Sequence, residues 1–250
     1  MRLRPAPVAV ALKMLLRIPR IEVETLHGRF WLDPASEFGQ RLLSTGSYEE
    51  GTVSTLKGIL EIGDTFIDIG SNEGYFSVVA SGCVGPSGRV FAVEPQRRLQ
   101  GVIRRNLGLN GAENATVVEL AISDKEGLGE LNLSPSMNTG ATSFLRRTRY
   151  SSRRQVVRTA TLTEFLDHYG IARADLIKMD VEGWEYEAIL GSREIFREGR
   201  VRAICLEIHD GHLRERGLSG TDIVNFLLEC GYRYSAENDA LIFRLPETGR

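Results

Sequence analysis

Three cysteines in 250 residues, Cys83, Cys205 and Cys230, are too few and too widely spaced to frame a disulfide-stapled fold or a paired-cysteine zinc site. Cys205 and Cys230 lie in apolar surroundings, where cysteine behaves as a small hydrophobe, and a reducing, cytoplasmic compartment fits best. The chain also lacks any apolar run near the ~18 residues that a membrane-spanning helix needs. Residues 1–20 carry arginines and an apolar run over 7–16 that imitates a secretory leader, but Lys13 interrupts it and no small-residue cleavage site follows. An amphipathic accessory helix is the reading, with peripheral membrane contact as the lesser alternative. Charge of one sign is lacking too: 31 basic against 33 acidic residues leave no overall field to draw the chain to nucleic acid. Only residues 146–158, with Arg146, Arg147, Arg149, Arg153, Arg154 and Arg158, concentrate positive charge. They read as a solvated loop, the alternative being a surface for an acidic substrate or phosphate.

What is present is the composition of an ordinary folded protein, 42% hydrophobic and 26% charged; disorder is not the default. The length suits one α/β unit, here residues 48–250, preceded by an N-terminal helical extension over 1–47. No internal repeat is visible.

From about Thr65 the sequence alternates short β-branched runs with helical patterns, the signature of a parallel α/β sheet. Strands are predicted at 66–69, 89–93, 115–122, 176–179 and 201–208, and an extended segment at 158–160. Helices are predicted at 75–81, 97–109, 161–168, 184–196 and 221–230, the last capped by Ser219 and ended by Gly231. Residues 127–133 suggest a hairpin arm turning at Ser134-Pro135, and 232–235 with 240–245 a terminal hairpin. The polar, aperiodic stretch 137–154 reads as a functional loop. The fold class is therefore a doubly wound, mostly parallel sheet with an antiparallel end.

In such sheets the ligand lies beyond the carboxyl ends of the strands, and four of those ends carry acids: Asp68, Glu94, Asp180 and Glu207. Gly70 and Gly74 bracket a tight turn whose backbone N–H groups and helix N-terminus face the crevice. A nicotinamide dehydrogenase needs Gly-x-Gly-x-x-Gly there to admit a pyrophosphate. This chain has Asp68-x-Gly70-x-Asn72-x-Gly74, and an acid in that turn repels pyrophosphate but suits an amino group and a sulfonium. Glu94, before Pro95 at the end of the next strand, is placed to accept both ribose hydroxyls. Ala121 and Ile122 are candidates to wall an adenine, with Asp124 accepting from its amine.

The ordered series Asp68-Ile69-Gly70-Ser71-Asn72-Glu73-Gly74-Tyr75-Phe76, Val93-Glu94-Pro95, Leu176-Ile177-Lys178-Met179-Asp180-Val181-Glu182-Gly183-Trp184-Glu185 and Leu206-Glu207-Ile208-His209 resembles the FkbM family of methyltransferases, over about 48–243. The resemblance implies a Rossmann-like class I methyltransferase fold with a seven-stranded sheet. It also implies S-adenosylmethionine as donor, S-adenosylhomocysteine as product, and as acceptor a hydroxyl on a sugar, glycan or natural product. The family usually has Ala at Ser71 and an apolar residue at Glu73, so this first helix turn is unusually polar, and contacts to the methionine end of the cofactor are where it could differ.

Methyl transfer to a hydroxyl needs alignment and a base. His209 is the better titrating candidate, and Asp180 orients the cofactor's amino group or the acceptor. Glu182, Glu207 and Asn138 are candidate acceptor contacts, Glu185 a weaker one. The loop with Asn138, Thr139 and Ser143 falls where a lid would cover the acceptor, and Tyr48 and Glu50 could close the cofactor pocket from the other side. Asp180, Glu207 and His209 offer ligands to a divalent cation, but no spacing is diagnostic and no metal is expected. The rival readings are a noncatalytic domain that keeps the fold and a nicotinamide oxidoreductase.

Overall fold

A computed structural model describes residues 18–134, 142, 144, 153–237 and 240–246 of the chain. Along its central strands successive side chains point to opposite faces, and this alternation sorts the apolar residues into two cores. Ile67, Ile69, Phe91, Val93, Ile177, Met179, Ile204 and Leu206 belong to one. Their strand neighbours Phe66, Val90, Ala92, Leu176, Ala203 and Cys205 belong to the other. A sheet apolar on both faces must be covered on both, and the helices do this.

In chain order the elements are strands β1 (Ile21–Thr25) and β2 (Gly28–Leu32), helices α1 (Glu37–Thr45) and α2 (Glu50–Ile59), β3 (Thr65–Ile69), α3 (Tyr75–Val84), β4 (Arg89–Val93), α4 (Arg97–Leu109), β5 (Ala115–Val118), β6 (Ala121–Ile122), β7 (Gly127–Leu133), β8 (Arg153–Ala160), α5 (Leu162–His168), β9 (Leu176–Met179), α6 (Glu185–Leu190), α7 (Arg193–Arg197), β10 (Ala203–Leu206), α8 (Asp210–Arg214), α9 (Gly220–Glu229), β11 (Arg233–Glu237) and β12 (Ala240–Arg244). The main sheet has seven strands in the order β11-β12-β10-β9-β3-β4-β5. Neighbours from β10 through β5 are parallel, whereas β12 runs antiparallel to both β10 and β11. This is the doubly wound sheet with an antiparallel end that the sequence pattern predicts, and it is the class I methyltransferase fold. No helix of the described residues is long and apolar enough to cross a membrane.

Four local differences have physical causes. The 115–122 segment is two strands: β5 stays in the main sheet, while β6 joins β8 in a second sheet of order β6-β8-β7. The arm over 127–133 pairs antiparallel with β8, whose described length reaches back to Arg153, so the end of the stretch read as a loop is strand. The helix predicted over 184–196 breaks at Gly191-Ser192, where the buried Ser192 hydroxyl accepts the Leu162 backbone N–H at 2.9 Å. By contrast α5 starts directly after Thr161, which caps it with a complete Thr161–Glu164 capping box that satisfies two orphan donors.

The fourth concerns the N-terminal extension. Described residues before 48 open not as a helix but as the β1–β2 hairpin, whose Ile-Glu-Val-Glu-Thr alternation has the two-residue period of a strand. Phe30 and Leu32 on β2 are fully buried and share a core with α2, α3 and α4. The apolar run 7–16 and most of the arginine-rich stretch lie outside the described residues.

If the hairpin is part of the core, Phe30→Ala should lower unfolding free energy by about 3–5 kcal/mol in a urea titration. A loss under about 1 kcal/mol would show that the main sheet stands without it.

Candidate functional site

The site is built at the carboxyl ends of β3, β4, β9 and β10. Gly70 leaves β3 with φ 82°, and a Cβ there would lie 1.9 Å from the Asp180 carbonyl oxygen, so only glycine lets the two loops approach. The Gly70 and Ser71 N–H groups both donate to the Val93 carbonyl, at 3.0 and 3.1 Å, which ties the turn to the end of β4. Asn72 takes a left-handed φ of 49°. That bend aims its backbone N–H at Glu94 Oε2, 2.9 Å away, while Glu94 Oε1 accepts from the Gln96 N–H at 3.0 Å. Burial pushes the Glu94 carboxyl up to about 7, against the pull of those N–H bonds.

Beneath the turn, Asp68 of β3 is wholly buried and accepts the Ser77 hydroxyl on Oδ2 at 2.6 Å. Its Oδ1, like the buried Ser71 Oγ, has no partner among the described residues. Burial raises the Asp68 pKa, with the nearby Lys178 opposing. Lys178 is its register partner on β9. Its ammonium sits 5.0 Å from the Phe76 ring centre and 3.3 Å from Asp180 Oδ2. Burial disfavours that charge, but Asp180, Asp68, Glu49 and Glu207 outweigh burial and hold the Lys178 pKa above its usual value.

Glu73 turns away from this centre. Its carboxylate is 1% exposed and takes a two-pronged ion pair from Arg20, at 2.7 and 2.9 Å. Its carbonyl accepts from Asn106 Nδ2, whose Oδ1 in turn accepts the Trp31 N–H. The polar residue at 73 is thus the anchor for the segment leading into β1, and its carboxylate does not line the cleft.

A cavity opens above the turn. Gly70, Asn72, Glu94, Pro95 and Asp180 form its polar wall, and Ala121, Ile122, Leu131, Phe144 and Trp184 an apolar slot. The Phe144 and Trp184 rings are 4.9 Å apart, and the indole N–H donates to Ser123 Oγ at 3.0 Å. Asp124 is exposed and is not part of this lining. Thr142 lines the cavity and donates to Gln96 Oε1 at 3.1 Å; Asn138, Thr139 and Ser143 lie outside the described residues.

Beside the cavity, His209 gathers the remaining acids. Its Nδ1 is 2.9 Å from Glu185 Oε1, and Nε2 is 3.9, 3.7 and 3.6 Å from Asp180, Glu182 and Glu207. Burial works against protonation, but the Glu185 bond and the carboxylates prevail and push the pKa up to about 9. Burial pushes Glu182 up to about 7 and raises Glu207. Asp180, Glu182 and His209 each offer one ligand atom within 4.8 Å of the others, so among the described residues Glu182 stands in the cluster where the sequence suggests Glu207. Glu50 turns outward to His27 at 3.1 Å. Tyr48 packs on Phe38, Tyr75 and Phe76, and it is Glu49, in a left-handed turn, whose charge reaches Lys178 and Glu207.

Sequence reading brings Asp68, Glu94, Asp180, Glu207 and His209 together and misses Lys178, Leu131, Phe144 and the slot face of Trp184. A lysine inside the apolar run Leu-Ile-Lys-Met was a readable signal, because a buried ammonium requires carboxylates around it. The aromatic pair had none, since Phe144 and Trp184 meet only through tertiary folding.

A doubly wound sheet with acids at successive strand ends and a glycine turn under a mixed polar and apolar cleft is the arrangement of a class I methyltransferase. The sequence model of the methyltransferase FkbM domain matches residues 68–234, and the chain belongs to that family. It is 28% identical over 195 residues to the 2-O-methyltransferase NoeI of Sinorhizobium fredii, covering 70% of this chain and 77% of NoeI. It is 24% identical over 210 residues to the AMB antimetabolite synthetase AmbE of Pseudomonas aeruginosa, covering 70% of this chain but only 10% of AmbE. Among solved structures, the methyltransferase FkbM from Methylobacillus flagellatus is 20% identical, with a TM-score of 0.47 over 75% of this chain and 45% of that one.

Arg20→Ala should cost about 3 kcal/mol in thermal or urea unfolding, because it strands the buried Glu73 carboxylate. Adding Glu73→Leu should recover most of that loss. Additive losses in the double variant would show that the two side chains are not coupled.

Proposed function

We propose that the chain is an S-adenosylmethionine-dependent O-methyltransferase acting on a hydroxyl of a sugar, glycan or natural product. One observation carries the choice of a hydroxyl: His209 Nε2 is surrounded at 3.6–3.9 Å by Asp180, Glu182 and Glu207 beside the cavity, a proton acceptor where a weakly acidic acceptor needs one. The similarity to a 2-O-methyltransferase supports the same reading.

The residues present suit the donor. Asp68 and Ser71 keep buried oxygens with no partner among the described residues, free to accept from an amino group. Each Glu94 oxygen already accepts one backbone N–H and retains a lone pair for a ribose hydroxyl. Gly70, Asn72 and Gly74 keep the backbone low at the turn, Pro95 borders the ribose, and Ala121 and Ile122 with Trp184 and Phe144 offer an adenine slot. When bound, S-adenosylmethionine supplies a methyl group on a sulfonium and is left as S-adenosylhomocysteine. Asp180 orients the amino group or the acceptor, Glu182 and Glu207 contact the acceptor, and His209 takes the hydroxyl proton. The reaction needs no divalent cation in this reading, because Lys178 already brings positive charge to Asp68, Asp180, Glu49 and Glu207.

The test is transfer of a labelled methyl group to a panel of hydroxyl-bearing sugars and glycans. Below about 9 the neutral His209 fraction grows about tenfold per pH unit, so kcat/KM should climb with pH to about 9. His209→Ala should lower kcat ~10²–10⁴-fold and leave S-adenosylhomocysteine affinity nearly intact, whereas Asp68→Ala should abolish that affinity. Equal loss of turnover and affinity in the histidine variant would remove His209 from the chemistry. A chelator should leave kcat unchanged; activity lost on chelation and restored by magnesium would contradict the metal-free reading.

A further inference from the structure

Glu185 has no direct contact to make with donor or acceptor. Its side chain is 0% exposed at the start of α6. Oε1 accepts the Gly183 backbone N–H at 3.0 Å and meets His209 Nδ1 at 2.9 Å across the gap between the β9 and β10 ends, while Oε2 has no partner among the described residues. A carboxylate only accepts hydrogen bonds, so the ring nitrogen facing it must carry the proton. That fixes His209 as the Nδ1–H form and leaves Nε2 as its basic atom.

The ring is held from other sides as well. It stacks on His212 of α8, centroids 5.8 Å apart and planes 12° from parallel, and His212 Nδ1 lies 3.2 Å from the Glu182 carbonyl oxygen. Gly183, at φ 93°, makes room for this, since a Cβ there would come within 2.5 Å of His212 Cβ. Nε2 then faces Asp180, Glu182 and Glu207 at 3.6–3.9 Å, beyond direct hydrogen-bond reach.

We propose that Glu185 is a positioning residue, which acts through His209 by fixing its Nδ1–H tautomer and aiming Nε2 at the acceptor hydroxyl. The inference rests on the reading of His209 as the base. In the step it supports, the acceptor's O–H proton passes to Nε2 and the bonding pair stays on the oxygen. The other ring proton stays on Nδ1, donated to Glu185 Oε1, and the resulting imidazolium later returns the transferred proton from Nε2 to water. The charged and titratable groups that face the ring are Glu185 from α6, Asp180 and Glu182 from the loop after β9, Glu207 from the end of β10 and His212 from α8. Lys178 acts on Glu207, and Arg216 on Glu185, from a greater distance.

Nitrogen-15 NMR of the full chain reads the tautomer directly. Above the His209 pKa the wild-type ring should be protonated on Nδ1, and an Nε2–H ring would overturn the proposal without any variant being made. Glu185→Gln should bring the His209 midpoint down from about 9 toward the ordinary value near 6.5. It should also move the rising limb of kcat/KM down with it and cut kcat on the order of 10²-fold, with S-adenosylhomocysteine affinity unchanged. Glu185→Asp, which keeps the charge but shortens the reach, should recover part of the kcat. A His209 midpoint that stays put in a folded Glu185→Gln protein would also overturn it. Failure of the underlying base reading looks different: His209→Ala would then turn over normally while the Nδ1–H signal remained in the wild type.

Discussion

The buried ammonium of Lys178 is the interaction on which the rest of the site depends. It stands opposite Asp68 in the β3–β9 register, 5% exposed, and 3.3 Å from Asp180 Oδ2. Asp68, Asp180, Glu49 and Glu207 act on it from four parts of the chain. Without a cation the wholly buried Asp68 would be driven to protonate, and the part-exposed Asp180, Glu49 and Glu207 would repel it and one another. With Lys178 in place, the ends of β3, β9 and β10 can meet in one cleft. The same charge leaves Asp68 with an oxygen still available to a cationic ligand.

From that centre the site divides into two halves held by different means. The half proposed for the donor is backbone-rich: the 70–74 turn is pinned to Val93 and Glu94 on one side, and through Glu73 to Arg20, Asn106 and the β1–β2 hairpin on the other. It is therefore fixed by parts of the fold far apart in sequence. The half proposed for the acceptor is made of titratable side chains, His209 with Asp180, Glu182 and Glu207, and His209 is held there by Glu185 at 2.9 Å and by stacking against His212. Family membership sides with methyl transfer over nicotinamide chemistry, and the acid buried beneath the glycine turn gives the same preference a physical cause.

Much of this was legible in the residue order because the relevant signals are local. Short β-branched runs ending in Asp68, Glu94, Asp180 and Glu207 announce parallel strands whose carboxyl ends carry chemistry, and the Thr161–Glu164 spacing announces its own capping box. The β1–β2 hairpin was legible too, in the alternation of residues 21–25 and the Leu26-His27 turn, but the arginines and apolar run just upstream favour a helical reading. What could not be read is what tertiary folding alone decides. Leu120 continues the apolar pattern of β5 although the chain there changes sheets, Ser192 ends a helix because a distant N–H needs its hydroxyl, and Phe144 reaches Trp184 only when the second sheet folds back. Glu73 departs from the family pattern for a similar reason, as its partner lies 53 residues away.

Residues 66–74 with Glu94 are proposed as a donor site for an aminoacid-bearing nucleoside rather than for a dinucleotide. Calorimetric titration of the full chain with S-adenosylhomocysteine and, separately, with NAD tests it most directly. Binding of S-adenosylhomocysteine at micromolar levels, with none for NAD, is the outcome this structure leads us to expect. NAD binding without S-adenosylhomocysteine binding, or no binding of either, would contradict it.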